Sequence, residues 1–313
     1  MTGPVLNWPT LRLDGRVMQF REHGGPYPTD EAGIEWIVTK LDGWFSSPAP
    51  TTAQTPRLAG HGSYRSPSRR PGRTIAIEFV ATAPTAEAMR LLERQVTAWC
   101  SDPDRLYPLE VTEDAMGALT ADVELSDEIL TLARTDHSST FSAQFRAPDP
   151  RLYGPWGTAG CRLFTGGTGG MNMSDPGTNM SDPGADLGDP GEQGATTITS
   201  AGTAPAGVVV EIVGPVTEPS VYVSELAVRL SWAGELAAGQ RLYVNTGDHA
   251  ATPPGGPTVP ARSTLLDGQS QDHLLALDGG WPVLPAGVSR WLFTAGSYDP
   301  EAVLMIHART GWW

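Results

Sequence analysis

The sequence predicts an all-β protein with one helix, built as an N-terminal β-barrel or sandwich domain followed by a second β-domain. Three observations carry that expectation. The 313 residues include 36 Gly and 28 Pro but only 18% charged residues, the composition of many short strands joined by tight turns. Apolar residues alternate with polar ones in run after run, the period of a strand with one buried face. One stretch alone has strong helical periodicity. With 40% apolar residues, a chain of this length fills two cores more readily than one.

In chain order, Ile34 to Thr39 and Thr74 to Val80 have strand composition, the second placing Ile75, Ile77 and Phe79 on one face. The helix is expected from Thr85 to about Trp99. Pro84 and Thr85 start it, Glu87 suits the positive end of the helix dipole, and Asp102-Pro103 ends it. Ala88, Leu92, Val96 and Trp99 form its apolar stripe, while Arg90, Glu93 and Arg94 face outward, so the stripe should cover an open edge or end of the barrel. Leu119, Ala121, Val123 and Leu125 alternate next, followed by Ile129 to Arg134 and by a strand holding Phe141, Ala143, Phe145 and Ala147. These are expected to form an antiparallel meander. Pro148 and Pro150 then stop ladder pairing and divide a first domain, 1–150, from a second, 151–313.

Two segments break the pattern. Pro48 to Gly72 is rich in Pro and runs into Arg65, Arg69, Arg70 and Arg73. It reads either as a solvated polar loop or as an arm that contacts a neighbouring subunit or an acidic partner, because a positive cluster stands out in a chain of net charge −14. Residues 166–194 carry Asp-Pro-Gly turns at a seven-residue interval, around Asp175, Asp182 and Asp189. Three such turns bury no core, so a long mobile loop is expected. Its carboxylates, Asp186 included, lack the spacing and terminal Glu of a calcium loop.

Strands resume at Gly207 to Val213, Val221 to Ser224, Leu226 to Leu230, Arg241 to Asn245, His273 to Leu277, Arg290 to Phe293 and Val303 to His307. Turn signals such as Gly239 separate them, which suits a jelly-roll sandwich.

The chemistry of an enzyme is missing. The six histidines are scattered, and no metal-protease, phosphate-loop or nucleophile-elbow spacing occurs. Ser270, Asp272 and His273 lie together, but adjacent strand residues point to opposite faces. Cys100 and Cys161 suit neither a disulfide framework nor a zinc site. No catalytic residue, metal or cofactor is therefore expected. A sequence pI near 4.8 argues against nucleic-acid binding. No run approaches the roughly 20 apolar residues a bilayer needs, and the start lacks a signal-peptide pattern. Synthesis in the cytoplasm without a membrane anchor is the expectation.

The segment Phe141-Ser-Ala-Gln-Phe-Arg-Ala-Pro-Asp-Pro-Arg-Leu-Tyr-Gly154, with Gly234 to Thr246 and Gly280 to Phe293 after it, resembles distal tail proteins of bacteriophages with long flexible tails. Trp281, Leu284, Pro285 and Gly287 match the second-domain pattern in order, whereas the Asp-Pro-Gly segment departs from it. The resemblance implies a virion protein, assembled in the host cytoplasm. It also implies a galectin-like jelly roll as the second domain and a hexameric ring formed by the first. Such a ring would join the tail tube protein to a tail hub or fibre-bearing tail-tip protein, with the tape measure protein passing through. The alternative is a carbohydrate-binding β-sandwich protein, in which Trp232, Tyr243, Trp281 and Trp291 stack on sugar rings. Each of these is otherwise the kind of side chain that fills a sandwich core.

Limited proteolysis should cut first between Asp175 and Gly191 and leave two resistant fragments. Protection across that segment would contradict the two-domain expectation.

Overall fold

In the first half of the chain, alternating apolar residues close into a barrel. The computed structural model describes residues 10–163, apart from 24, 53, 58, 60, 62 and 114–116, together with 194–296 and 299–313. The Asp-Pro-Gly repeats, with Asp175, Asp182, Asp186 and Asp189, lie outside the described residues. The chain divides into one unit of Met1–Pro155 with Trp312–Trp313 and a second of Trp156–Gly311.

Strands β1 (Thr10–Leu13) and β2 (Arg16–Phe20) form a hairpin turned by Asp14 and Gly15, both at positive φ. That is the backbone an Asp-Gly two-residue turn adopts. β3 (Glu35–Asp42) runs parallel to β2, while β4 (Gln54–Pro56) and β5 (Ser63–Arg65) make a small hairpin of their own. After β6 (Arg73–Thr82) and helix α1 (Ala86–Thr97) come β7 (Tyr107–Glu113), β8 (Gly117–Leu125), β9 (Leu130–Arg134) and β10 (Ser138–Ala147). The ladder runs β8-β7-β1-β2-β3-β6-β10. It returns to β8 through Phe145↔Leu125 and Arg146↔Glu124, closing a seven-stranded barrel that leaves no free edge on its wall.

Inward residues of every barrel strand fill it, among them Leu11, Met18, Trp36, Ile77, Leu109, Val123 and Phe145. Phe79 is the centre of an aromatic group, stacked on Phe141 at 5.3 Å and edge-on to Trp99 at 5.8 Å. The helix starts where the sequence predicts. Thr85 Oγ1 accepts from the Ala88 amide at 3.1 Å, and Met89, Leu92, Val96 and Trp99 are buried in the same core. α1 is the one α-helix among the described residues, and no helix is long and apolar enough to cross a membrane.

The expected meander does not form. β10 pairs with β6 along one edge and divides its other edge between β9, at Ser139 to Ser142, and β8, at Phe145 and Arg146. Ser126 makes this possible by donating both its amide and its hydroxyl to the Gln144 carbonyl, which turns the chain away just after β8. β9 therefore hangs at the end of the sheet instead of lying between β8 and β10.

Beyond β10, the Pro148-Asp-Pro150 exit is folded around one carboxylate. Asp149 accepts from the Arg151 amide at 3.0 Å, from Arg151 Nε at 2.8 Å and from the Tyr153 hydroxyl at 2.6 Å. Burial alone would push the Asp149 pKa up. The bonds from Arg151 and Tyr153 outweigh it and hold the carboxyl below its usual range.

β11 (Leu152–Arg162) leads into the second unit, where the strands are β12 (Gly194–Ser200), β13 (Val208–Val213), β14 (Val216–Thr217), β15 (Ser220–Val223), β16 (Val228–Trp232), β17 (Glu235–Leu236), β18 (Arg241–Asn245), β19 (Ser263–Leu266), β20 (Gln269–Ser270), β21 (Leu275–Asp278), β22 (Gly287–Thr294) and β23 (Val303–Trp312). One sheet has the order β20-β19-β18-β13-β23-β11 and the other β12-β22-β15-β16-β21, with β14 and β17 as a separate pair. Val210, Ile212, Leu242, Leu304 and Ile306 of the first meet Val221, Leu230, Trp232, Trp291 and Phe293 of the second in one apolar core, a β-sandwich. His273 does not begin a strand: it sits in a 3-10 turn, Asp272–Leu274. The Ser270 hydroxyl donates to Asp272 at 2.8 Å there, which makes that cluster a turn cap.

Truncating the helix stripe tests the barrel core. Leu92→Ala should destabilise the protein by about 2 to 5 kcal/mol in a denaturant titration, and a cost below about 0.5 kcal/mol would mean that the stripe is not core.

Candidate functional site

The arginine-rich excursion is a hairpin arm raised on two glycines. At Gly43, where φ is 81°, a Cβ would stand 2.0 Å from the Thr74 carbonyl oxygen, and at Gly72 one would stand 2.7 Å from that of Ala147. The chain thus leaves and rejoins the barrel where only glycine lets backbone meet backbone so closely. Between them, Thr51 and Arg69 exchange backbone hydrogen bonds of 2.7 and 2.9 Å, and the Thr52 and Ser68 hydroxyls bond at 3.1 Å. β4 and β5 continue the arm outward.

The four arginines singled out in the sequence do different things. Arg73 is corrected outright: it is 1% exposed and lies on β6, inside the fold. Its Nη1 donates to the carbonyls of Gly43 at 2.9 Å, Trp44 at 2.6 Å and Ser46, and its Nε donates to that of Pro150 at 3.0 Å. Burial lowers its pKa, but an arginine starts so high that it stays charged. Arg70 is a half-buried clasp at the arm's base, donating to Ser47 Oγ at 2.7 Å and the Pro48 carbonyl at 2.6 Å, with its guanidinium 4.7 Å from the Trp313 ring centre. Arg69 is exposed, and Arg65 lies on β5 opposite Gln54. Sequence reading overlooked Arg57, whose guanidinium lies 5.4 Å from the ring of Tyr64, itself 64% exposed.

Three of the four aromatic residues expected to stack on sugar are buried. Trp232 and Trp291 are buried between the sheets of the sandwich, Trp291 donating to Ser289 Oγ at 3.0 Å. Tyr243 is buried with its hydroxyl 3.2 Å from Glu211, and Trp281 packs half-buried against the core. Trp232, Tyr243 and Trp291, so enclosed, have no free face to offer a sugar, whereas Trp281 stays partly exposed.

The outward face of the β11-β23-β13-β18 sheet carries a polar network that sequence reading missed. Glu211 is 3% exposed and hydrogen-bonds through Oε2 to His307 Nε2 at 2.8 Å. His307 Nδ1 lies 2.9 Å from the exposed Thr158 hydroxyl. Arg241 donates to Glu211 Oε1 at 2.6 Å. Because a carboxylate only accepts, the contact with Glu211 assigns a proton to His307 Nε2. The signal was present: Glu211 interrupts Val208 to Val213 and His307 ends Val303 to His307, each a charge-bearing group in an apolar run. Acid, base and hydroxyl stand in line, but Glu211 is already shared by Arg241 and Tyr243. The network ties four strands together. Burial favours the neutral Glu211, yet the bonds from His307 and Arg241 hold its pKa below the usual range.

The cysteines are inert. Burial pushes the Cys100 thiol up to about 12 and the Cys161 thiol to about 11. Among the described residues no group of three or more His, Cys, Asp or Glu is placed to hold a metal.

By sequence the chain matches no protein-family model and no curated protein. By structure it is similar to the Dit protein of phage SPP1, described as a paradigm of the hub adsorption apparatus in phages that infect Gram-positive bacteria. That likeness has a TM-score of 0.58 at 13% identity and covers 96% of this chain and 98% of that one. A chain of the phage P2 baseplate in its activated conformation with calcium scores 0.45 at 11% identity, covering 96% and 97%. The SPP1 likeness shows that the chain has the fold of a phage tail hub protein.

Because the folded-state pKa of Glu211 lies below the unfolded one, its stabilisation is complete above the ordinary carboxylate range and is lost as pH falls through the folded-state value. Glu211→Gln should cost about 1 to 3 kcal/mol at neutral pH, a gap that narrows in acid. Urea titrations of both proteins across that range check this, and a gap that stays constant would contradict it.

Proposed function

We propose that the protein is a distal tail protein, a structural component of a phage virion that joins the end of the tail tube to the tail tip or baseplate. The observation that carries this reading is the likeness to the SPP1 Dit protein over nearly the whole of both chains. Two sequence features support it: the exit motif organised by Asp149 and the ordered Trp281, Leu284, Pro285, Gly287 pattern, both of which resemble that family. In this reading six copies form a ring through the barrel unit, and the sandwich is the galectin-like domain of the family. The tail tube protein lies on one side of the ring and the hub or fibre-bearing protein on the other, with the tape measure protein passing through. No catalysis is needed: the work is symmetric docking, in which each copy presents the same surfaces to its neighbours. Net charge of −14 keeps such an assembly soluble.

Light scattering on the purified protein should give a mass six times that of the 33.2 kDa chain. Labelled protein should sit at the tail tip of purified virions, and deletion of the gene should stop tail assembly. Tails that assemble normally without it would end the proposal.

A further inference from the structure

The root of the hairpin arm is held in two tiers. Arg73, enclosed in the fold, gathers the carbonyls of Gly43, Trp44 and Ser46. Above it, Arg70 holds Ser47 and Pro48, its Nη1 donating to the Ser47 hydroxyl at 2.7 Å and to the Pro48 carbonyl at 2.6 Å. The Thr51–Arg69 backbone pair follows further out. The lower tier is out of water and the upper one is not: Arg73 is 1% exposed, whereas Arg70 is half-buried.

What keeps Arg70 in place comes from the far end of the sequence. No Asp or Glu lies between Gly43 and Ile77, so the arm itself offers the guanidinium no carboxylate. The guanidinium lies instead 4.7 Å from the ring centre of Trp313, within the range of a cation held on an aromatic face. Beyond Gly311 the chain rejoins the first unit with Trp312 and Trp313. Trp312 packs half-buried against the barrel core, which fixes the backbone that carries Trp313. A planar guanidinium suits a flat indole in a way that a lysine ammonium does not.

We propose that Trp313 and Arg70 form a latch that sets the posture of the hairpin arm. Closed, the indole holds the guanidinium over Ser47 and Pro48, and the arm stands as the structure shows it. Open, the arm pivots above the Arg73 anchor while the barrel stays intact. A cation on a half-buried ring shifts such an equilibrium by about three- to thirtyfold, enough to hold the arm and weak enough to release it without unfolding the barrel. The latch does not rest on the tail reading, because it concerns the arm of a single chain whatever that arm meets.

Hydrogen exchange on the full chain tests it, read at the Thr51 and Arg69 amides, which bond to each other's carbonyls, with β6 and β10 as the barrel reference. Trp313→Ala should speed exchange at Thr51 and Arg69 by about three- to thirtyfold and leave β6 and β10 unchanged. Trp313→Phe, which keeps an aromatic face, should retain most of the protection, whereas Trp313→Leu, which keeps apolar bulk alone, should lose it. Arg70→Ala should speed arm exchange by a smaller factor in the Trp313→Ala chain than in the wild type, because the two side chains act through one contact. Exchange at Thr51 and Arg69 that Trp313→Ala leaves unchanged overturns the latch, as do arm amides already unprotected in the wild type. A rise shared by β6 and β10 overturns it too, since Trp313 would then support the barrel core. Equal Arg70→Ala factors in the two chains, or equal protection in Trp313→Leu and Trp313→Phe, would mean that no cation–ring contact holds the arm.

Discussion

The first unit depends on one buried cation. Arg73 reaches from the start of β6 to the carbonyls of Gly43, Trp44 and Ser46 on the exit from β3 and to that of Pro150 beyond β10. A guanidinium out of water is costly unless its donors are met. Here Nε and Nη1 meet carbonyl oxygens at the two places where the chain leaves the barrel, while Nη2 is buried with no hydrogen-bond partner among the described residues, so the same group fixes the root of the arm and the start of the interdomain exit. Leu, Met or Lys would fill part of the volume without the planar fork of donors that gathers several carbonyls.

Around that anchor, the first unit separates what must be rigid from what is presented. The barrel wall closes through β8 and β10, which removes its own edges, and the aromatic group of Trp36, Phe79, Trp99 and Phe141 fills the interior. The arm and β9 stand outside this closure. Among the described residues both keep an unpaired strand edge, a state that soluble proteins normally avoid.

The second unit solves a different problem. Its sandwich core is apolar apart from small hydroxyls such as Ser289, while on the outer face Glu211 receives His307, Arg241 and Tyr243. A carboxylate so enclosed stays ionised only because each oxygen is hydrogen-bonded. The network is a cross-strand tether, and its acid-base-hydroxyl line needs no catalytic purpose to account for it.

Periodicity in the sequence determined the all-β class, the helix with its Thr85 cap, and strands such as β6, β8, β10, β13 and β23, because burial of one face writes itself into neighbouring residues. It also held the answer for Arg73, which falls in step with Ile75, Ile77 and Phe79 on the inward face, although its place in an Arg-rich run suggested a loop. β1 escaped because it is short and β2 because it mixes polar residues into both faces, with only their Asp-Gly turn to mark them, whereas β7 carried a strand pattern in Tyr107, Leu109 and Val111 that sequence reading overlooked. Tertiary structure alone decided that β9 hangs from β10 instead of lying beside β8, that Trp232 and Trp291 face a partner sheet, and that Glu211 meets His307 across 96 residues of chain. Those outcomes depend on which distant strands pair, and no local pattern encodes a partner that lies far along the chain.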